Sequence, residues 1–274
     1  MHRFMTFVNG SNLFGAFKHL EVFVDDYEAL FSYLFEETVK RWRMTVDGAV
    51  RPPAQQVRIY WYVVDTMDEW DLQNPRTRQH LYERFQDDRE IKNRWISEAV
   101  RALAGTGADQ SKVEQTAFTM CYDDFKNWYD KKQMILSGMN RFYHAVEAST
   151  DFIEIRRSGR WKVDLLRKTL TEKGVDVGFA VDMLAFRQYY DVAVLVSADV
   201  DGVPSLEYLK NSGAQVAVVD FVRGPLMEGK GKGATSRLKL TADFVIPVYE
   251  ADLVKSGIAT RGEVDTYPVR EATS

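Results

Sequence analysis

The sequence predicts an α/β protein with a mainly parallel sheet that helices cover on both faces. Two observations support this class. The β-rich runs are almost continuously apolar, which is typical of strands buried on both sides. Helical patterns lie between these runs, as connections between parallel strands require. The predicted strands, in chain order, are 4–8, 56–64, 151–156, 191–197, 215–221 and 243–248.

The predicted helices follow from the spacing of apolar residues and from signals at their ends. Over 26–43, leucines and phenylalanines recur at four-residue intervals, which places them on one helix face. A second helix is predicted at 176–188. A third covers 204–211, with Pro204 at its first position and Gly213 just beyond its end, where these residues favour helix boundaries.

The segment between the second and third strands is too long for one connection. It is helical, charged and rich in aromatic residues, whereas a crossover helix needs only about a dozen residues or slightly more. We therefore predict a helical insertion at about 66–125, followed by a crossover helix at about 125–147. The domain is expected to cover 1–250, and 251–274 is expected to form a C-terminal tail.

The composition limits the classes of partner and location. The net charge is −4 and the pI is near 5.7, so a polyanion would have to bind through local basic patches. The single cysteine, Cys121, cannot form an internal disulfide or a cysteine-based zinc site. No apolar run approaches the ~20 residues of a membrane span, and the start of the chain does not resemble a signal peptide. We expect a soluble, reduced, cytoplasmic protein without membrane partners.

Polar residues that could hold a metal ion follow the predicted strands. Asn9 ends the first strand, at a position where a metal-binding aspartate would be expected. Asp199 and Asp201 follow the strand at 191–197, and Asp176 begins a helix after a glycine turn. Parallel sheets bind their ligands at the carboxyl ends of the strands. Oxygen-rich clusters suit Mg²⁺ or Mn²⁺, which activates water and stabilises charge on a phosphate.

Each acid taken alone also has a structural explanation, because aspartate after a strand is a common turn residue or helix cap. The combination of Asn9, Asp176, Asp199 and Asp201 in this order favours a functional site. Asp182 is the weaker candidate metal ligand. It lies six residues after Asp176, about 240° around a regular helix, so the two side chains cannot point the same way.

Four segments resemble successive signatures of the NYN domain family, which belongs to the PIN-like nucleases, close to the bacterial LabA-like branch. The segments are FVNGSNLFGAF, EKGVDVGFAVDML, DVAVLVSADVDGVPSLEYLKNSGAQVAVV and SRLKLTADFVIPV. The resemblance covers residues 4–64 and 126–248 in the order of the family. It implies a three-layer α/β/α fold of the PIN-like kind and a ribonuclease activity that depends on Mg²⁺ or Mn²⁺.

The resemblance also implies roles for individual residues. Asn9 stands where the family signature D-G-[ST]-N begins with a metal-binding aspartate, and Asn12 matches the asparagine of that signature. Asp176 matches the middle acid of the family. Asp199 and Asp201 match the two acids of the signature S-G-D-x-D-F.

This chain departs from the family pattern at three positions. Ala198 replaces a glycine, Gly202 replaces a phenylalanine, and Asn9 replaces the leading acid. Two explanations of Asn9 stay open: natural divergence has weakened the site, or the family's aspartate was deliberately replaced to silence it. The intact acids favour the deliberate replacement.

Two basic stretches are candidate RNA contacts. Residues 156–173 hold seven Lys and Arg against two acids, and 223–240 hold five against one. Phosphate contacts together with an aromatic side chain that stacks on a base are what binds single-stranded RNA or the exposed loops of structured RNA. The second stretch is explained equally well as a solvated face. The candidate RNA-binding residues are Arg156, Arg157, Arg160, Trp161, Lys162, Lys230, Lys232 and Arg237.

The resulting hypothesis is a metal-dependent ribonuclease that leaves 5′-phosphate and 3′-hydroxyl ends. No histidine accompanies the acids in the sequence, so the metal would have to generate the nucleophile. One alternative is a non-catalytic RNA- or nucleotide-binding module that lost the chemistry at Asn9. Another is a partner-binding protein whose working surface is the insertion. The RNA target, the pathway and the oligomeric state, a homo-oligomer included, stay open.

Overall fold

The computed structural model describes residues 1–45, 53–225 and 236–262, and its helices and strands lie within those ranges. The strands are β1 (His2–Asn9), β2 (Val22–Val24), β3 (Ala54–Met67), β4 (Ile153–Asp164), β5 (Thr169–Lys173), β6 (Val192–Val196), β7 (Gln215–Val222), β8 (Phe244–Tyr249) and β9 (Ala259–Arg261). The α-helices are α1 (Gly10–Leu20), α2 (Tyr27–Thr45), α3 (Pro75–Asp87), α4 (Arg89–Ala102), α5 (Gln110–Ser149), α6 (Val175–Ala185), α7 (Val203–Asn211), α8 (Ser236–Thr241) and α9 (Glu250–Lys255). Short 3₁₀ helices cover Arg187–Tyr189 and Val200–Gly202.

Seven strands form one sheet in the order β5-β4-β3-β1-β6-β7-β8. The strand β1 pairs in parallel with β3 and β6, and the parallel pairing continues through β7 to β8. At the other end of the sheet, β5 pairs with β4 in the antiparallel direction. The strands β2 and β9 form a separate antiparallel pair. The predicted class, a mainly parallel α/β sheet with helices, is therefore confirmed, and each predicted strand overlaps an observed one.

Both faces of the central strands are covered, which explains why their sequences are continuously apolar. On one face, Val8 belongs to the same core as Leu13 of α1 and Leu30 of α2. On the other face, Phe7 contacts Phe179 of α6, with ring centroids 6.3 Å apart. Helices on both sides of the sheet give the three layers that the resemblance implies.

The start of α1 passes very close to β3. A Cβ atom at Gly10 would lie 2.8 Å from the indole nitrogen of Trp61 and 2.8 Å from the carbonyl oxygen of Tyr62. By contrast, no atom lies within 4 Å of the corresponding position at Gly15, in the middle of the same helix. Only glycine fits the first position of α1, and this close approach fixes the point at which the chain leaves β1 after Asn9.

The chain divides into two compact units, each with its own core. The first comprises Met1–Asp65, Gly138–Gly159 and Gly174–Ser274, and the second comprises Thr66–Ser137 and Arg160–Lys173. In the second unit α3, α4 and the early turns of α5 contribute to a buried cluster with the hairpin of β4 and β5. Its core residues include Leu81, Phe85, Phe118, Phe125 and Leu165.

The predicted insertion at about 66–125 falls inside the second unit, which also includes residues that the prediction left out. The crossover helix expected from about 125 begins earlier, at Gln110. Asp109 starts this helix, since its side chain accepts a hydrogen bond from the backbone N–H of Lys112 at 2.8 Å. Sequence periodicity did not reveal this cap, because one aspartate among many polar residues carries no strong signal.

Part of the expected C-terminal tail has regular structure. The strand β9 pairs with β2, with Ala259 opposite Val24, and Leu253 of α9 is fully buried. Residues 263–274 lie outside the described part of the chain. Within the described residues, the helices include none whose length and apolar character would allow it to cross a membrane.

Candidate functional site

Asn9 ends β1 at the carboxyl edge of the sheet and caps α1. It is buried, with 2% of its surface exposed, and its side-chain oxygen accepts a hydrogen bond from the backbone N–H of Asn12 at 3.1 Å. Its amide nitrogen donates to Oδ1 of Asp176 at 3.1 Å. The cap fixes the orientation of the amide, because turning it over would place NH₂ against the N–H of Asn12. The NH₂ group of Asn9 therefore faces a carboxylate.

Asn12 ties the first turn of α1 to the segment after β6. Its side-chain oxygen accepts a hydrogen bond from the backbone N–H of Ala198 at 3.0 Å. The next residue, Asp199, is held from both sides: its N–H donates to Oγ of Ser197 at 3.1 Å, and its carboxylate accepts from the N–H of Asp201 at 2.9 Å. These bonds form a tight turn that presents two carboxylates at the end of β6.

Asp176, Asp199 and Asp201 influence one another electrostatically. Partial burial raises the pKa of Asp176, and the negative charges of Asp199 and Asp201 raise it further, while the hydrogen bond from Asn9 acts in the opposite direction. The structure thus brings together Asn9, Asp176 and the two later acids. Within the described residues, however, no three His, Cys, Asp or Glu side chains are grouped closely enough to enclose a metal ion.

The donor chemistry of these residues fits a divalent cation in part. Asp176, Asp199 and Asp201 supply carboxylates, the oxygen ligands that suit Mg²⁺ or Mn²⁺, and the two later acids raise the pKa of the first. Asn9 does not fit as a ligand, because its oxygen is used by the helix cap and its NH₂ group is a donor. The three aspartates therefore have the right chemistry for the ion, but as the described residues are placed they do not form a group that could hold it.

Asp182, the weaker candidate, is engaged elsewhere. Its carboxylate accepts a hydrogen bond from the hydroxyl of Tyr62 at 3.0 Å and lies 3.3 Å from the Arg156 guanidinium. Burial, together with the neighbouring charge of Asp182, raises the pKa of Tyr62, so the phenol stays protonated. Asp182 thus holds α6 against β3 and β4 through a tyrosine and an arginine.

Sequence reasoning missed one acid at the same edge. The last parallel pairs are Val8 with Val196 and Leu195 with Val218. When the same register is continued by one or two residues, Asn9, Ser197 and Asp220 lie side by side on β1, β6 and β7. All three are buried polar residues. The carboxylate of Asp220 lies 2.7 Å from Nζ of Lys239. The sequence signal that could have identified Asp220 is an acid near the end of the apolar run QVAVVDF.

The candidate RNA-binding residues have different environments. Arg156 lies 3.0 Å from Glu154 and over the ring of Tyr60 at 4.6 Å, and Arg157 donates to Glu147 at 3.1 Å. Both guanidinium groups are therefore paired within the first unit. In the second unit, Arg160 and Lys162 of β4 are exposed and Trp161 is partly buried. In the first unit, Arg237 of α8 is exposed. Lys230 and Lys232 lie outside the described residues.

The basic stretch at 156–173 forms a β-hairpin with a turn at residues 165–168, and it contains no helix. It forms most of β4 and all of β5, which pair as a hairpin with Arg160 opposite Lys173 and Asp164 opposite Thr169. The alternation along a strand sends successive side chains to opposite faces. As a result, Arg160 and Lys162 lie on one face of the hairpin and Trp161 on the other.

The structure is thus a three-layer α/β protein with a mainly parallel sheet, and acids and asparagines lie at the carboxyl edge of that sheet. The profile of the NYN domain family matches residues 3–246, nearly the whole chain. The chain therefore belongs to the NYN domain family, as the sequence resemblance predicted.

Other comparisons add little about function. Among curated proteins, none matches the chain. A crystal structure of a protein of unknown function from Vibrio parahaemolyticus is similar to it at 12% identity, covering 90% of this chain and 93% of that one, with a TM-score of 0.39. The family and the site are consequently the basis for a function.

Proposed function

We propose that this chain is a divalent-metal-dependent ribonuclease whose activity is limited by the residue at position 9. The main support is that the chain belongs to the NYN domain family and that Asn9 contacts Asp176 at the carboxyl edge of its sheet. Burial of Asp176, together with the charges of Asp199 and Asp201, raises the pKa of this carboxyl. Carboxylates that lie near one another repel when they are ionised, and a bound cation would relieve this repulsion. Members of this family are in general nucleases, and RNA is the substrate that the resemblance implies.

In this proposal Asp176, Asp199 and Asp201 hold Mg²⁺ or Mn²⁺. When bound, such an ion lowers the pKa of a water ligand and stabilises charge that develops on a phosphate. The other residues act by position. Asn12 fixes the backbone in front of Asp199, and the amide of Asn9 keeps the Asp176 carboxylate oriented toward the end of the sheet.

Position 9 sets the strength of the site. A carboxylate there would add one negative charge, and one charge pair at 4 Å is worth about 4 kcal/mol at an effective dielectric constant near 20. Desolvation of the carboxylate offsets part of this. Half of this charge-pair energy would still change affinity or rate more than tenfold, because about 1.4 kcal/mol corresponds to a factor of ten. Asn9→Asp should therefore raise Mn²⁺ affinity and RNA cleavage at least about tenfold.

A second candidate function is a non-catalytic RNA- or nucleotide-binding module. The observation that favours it is the hydrogen bond from Asn9 to Asp176, which satisfies that carboxylate without an ion. In this case the chain would bind RNA equally well with and without divalent ions, and Asn9→Asp would not introduce cleavage.

Cleavage of a panel of single-stranded and structured RNAs distinguishes the two. The unmodified chain, Asn9→Asp and Asn9→Asp with Asp199→Asn are compared in Mn²⁺, in Mg²⁺ and in EDTA. We expect Asn9→Asp to cleave fastest, only with a metal ion, and to leave 5′-phosphate ends; the added Asp199→Asn change should abolish the gain. If Asn9→Asp remains inert on every RNA and binds Mn²⁺ no better by calorimetry, the nuclease proposal fails and the binding module replaces it.

A further inference from the structure

Helix α6 has an apolar outer face that no described residue covers. Its inner face packs on the sheet through Phe179. On the opposite side Val177 is 67% exposed and Val181 is 55% exposed, and Leu184 is exposed as well. These three residues lie in one row, because positions three and four apart are neighbours on a helix. A helix that is apolar on all sides is buried on all sides in most proteins, so this outer face indicates a partner.

Exposed apolar residues of the neighbouring elements extend this row. Of the twelve large apolar side chains that are exposed in the described part of the chain, six lie between residues 177 and 208. They belong to α6, to the two 3₁₀ helices and to α7, and these last three elements all pack against α6. The six residues, here named the α6 face, are Val177, Val181, Leu184, Tyr189, Val200 and Tyr208.

The area of the α6 face is large for a surface exposed to water. At the surface areas typical of these residue types, the exposed fractions correspond to roughly 600 Å², which is the upper end of the apolar patches found on monomeric proteins. Two copies of the chain that covered most of this face in each other would bury about 1,000 Å² in total. This is the smallest area expected of a specific protein interface.

The α6 face lacks the charges that an RNA-binding surface requires. The helix α6 contains no Lys or Arg, and the ammonium group of Lys210 in α7 pairs with Asp243 at 3.2 Å. Binding of RNA depends on positive side chains that contact phosphates. An apolar protein surface is therefore the better match.

The row of residues on α6 is suited to pairing with itself. Val177 lies four residues before Val181, and Leu184 lies three residues after it. If two α6 helices pack antiparallel with a twofold axis at Val181, the smaller Val177 of each copy lies against the larger Leu184 of the other. Such a contact uses the same patch on both copies, as the interfaces of symmetric dimers do.

The charges at the two ends of α6 also favour an antiparallel pair. Asp176 lies at its start, and the charges of Asp199 and Asp201 act on this residue. Beyond its end, the Arg187 guanidinium donates to Oγ and to the carbonyl oxygen of Ser212, at 2.9 and 2.8 Å, which are neutral acceptors. In an antiparallel pair, Arg187 of each copy lies toward the acidic end of the other. This charge complementarity selects a second copy as the partner.

We propose that the α6 face is the interface of a homodimer in which two α6 helices pack antiparallel around a twofold axis at Val181. The inference does not depend on the proposed function, because it uses only the surface of α6 and its neighbours. The same side chains are apolar and uncharged, so two chains that each carry a net charge of −4 meet where their mutual repulsion is weakest.

Sedimentation equilibrium tests the interface by measuring the dimer dissociation constant of the unmodified chain, Val181→Lys and Val100→Lys. Val100 of α4 is the matched control, because it is also a helical valine and is 52% exposed. We expect a dimer of the unmodified chain in the micromolar range. Val181→Lys places two like charges against each other at the twofold axis and should raise the dissociation constant at least about tenfold, whereas Val100→Lys should leave it unchanged.

Oxidative cross-linking tests the direction of the helices. A disulfide needs Cβ atoms about 3.5–4.5 Å apart, so Val181→Cys should form a covalent dimer. In Val177→Cys the two new residues would be about 12 Å apart along the helix axis, so this variant should not cross-link, and neither should Val100→Cys. Cys121 does not interfere, because it is buried and burial raises its pKa to about 12.

The contrary outcomes are distinct. A monomer of the unmodified chain at every concentration, or a dimer of Val181→Lys that is as tight as that of the unmodified chain, would overturn the interface. Weaker RNA binding by Val181→Lys in a chain that stays monomeric would assign the α6 face to RNA instead. Cross-linking of Val177→Cys to the same extent as Val181→Cys would overturn the antiparallel arrangement. None of these results bears on metal binding or on cleavage by Asn9→Asp.

Discussion

The contact between Asn9 and Asp176 makes a specific prediction about stability without metal. Asn9→Asp replaces the NH₂ group, which lies 3.1 Å from Oδ1 of Asp176, by a second carboxylate oxygen. The other oxygen of the new side chain can still cap α1 through the N–H of Asn12. The change therefore keeps the cap, removes a hydrogen bond and places two negative charges against each other.

The size of the effect follows from this geometry. Two like charges about 4 Å apart repel by about 4 kcal/mol at an effective dielectric constant near 20. Water reaches Asp176, which is partly exposed, and uptake of a proton by the pair relieves part of the repulsion. We expect a net loss of about 2 kcal/mol at pH 7. At roughly 2–4 °C per kcal/mol for chains of this size or slightly smaller, the melting temperature should fall by about 5 °C.

The assay is thermal unfolding in EDTA and in Mn²⁺, at pH 7 and at pH 5. Because the repelling pair has a raised pKa in the folded state, the loss should be largest at pH 7 and should shrink as the pH falls. Mn²⁺ should raise the melting temperature of Asn9→Asp more than that of the unmodified chain. Asn74→Asp is the matched control, since Asn74 caps α3 through the N–H of Arg76 at 2.9 Å and is exposed. Equal melting temperatures for Asn9→Asp and the unmodified chain in EDTA would refute this reasoning.

Three further predictions follow from described residues. Gly10→Ala should lower the melting temperature by several degrees, because its Cβ would lie 2.8 Å from two atoms of β3, whereas Gly15→Ala meets no atom and should raise it slightly; equal effects would contradict the close approach. Asp176→Asn should raise the melting temperature in EDTA at pH 7 by a degree or two. The raised pKa of Asp176 means that its ionised form lowers stability, so this gain should disappear below about pH 4; a gain that persists there would argue against the electrostatic cause. Gln at both exposed positions Arg160 and Lys162 should leave the melting temperature unchanged and reduce the salt slope of RNA binding by about 1.4, as expected for two lost phosphate contacts to single-stranded RNA; an unchanged slope would remove this hairpin from the RNA-binding surface.

Local patterns in the sequence were sufficient to predict six of the seven strands of the main sheet, all except β5. Strands buried on both faces have no polar side to display, so β1, β6 and β7 appear as continuous apolar runs that can be read without a structure. The helix α7 could also be predicted from the sequence, because Pro204 marks its start and Gly213 marks its end. The structure of the basic stretch at 156–173 was harder to predict. A hairpin with one exposed face mixes charged and apolar residues in the same way as a solvated helix does.

The site shows most clearly what the sequence determined and what the fold decided. The sequence determined which residues end the strands and that Asn9 brings no charge to a place where the family resemblance implies an acid. Only the tertiary structure decided that the amide of Asn9 donates to Asp176 and that Lys239 pairs with Asp220. These partners are separated by 167 residues in the first pair and belong to a strand and a helix in the second. Local propensity acts over a few neighbouring residues, whereas the register of parallel strands brings distant parts of the chain to one edge of the sheet.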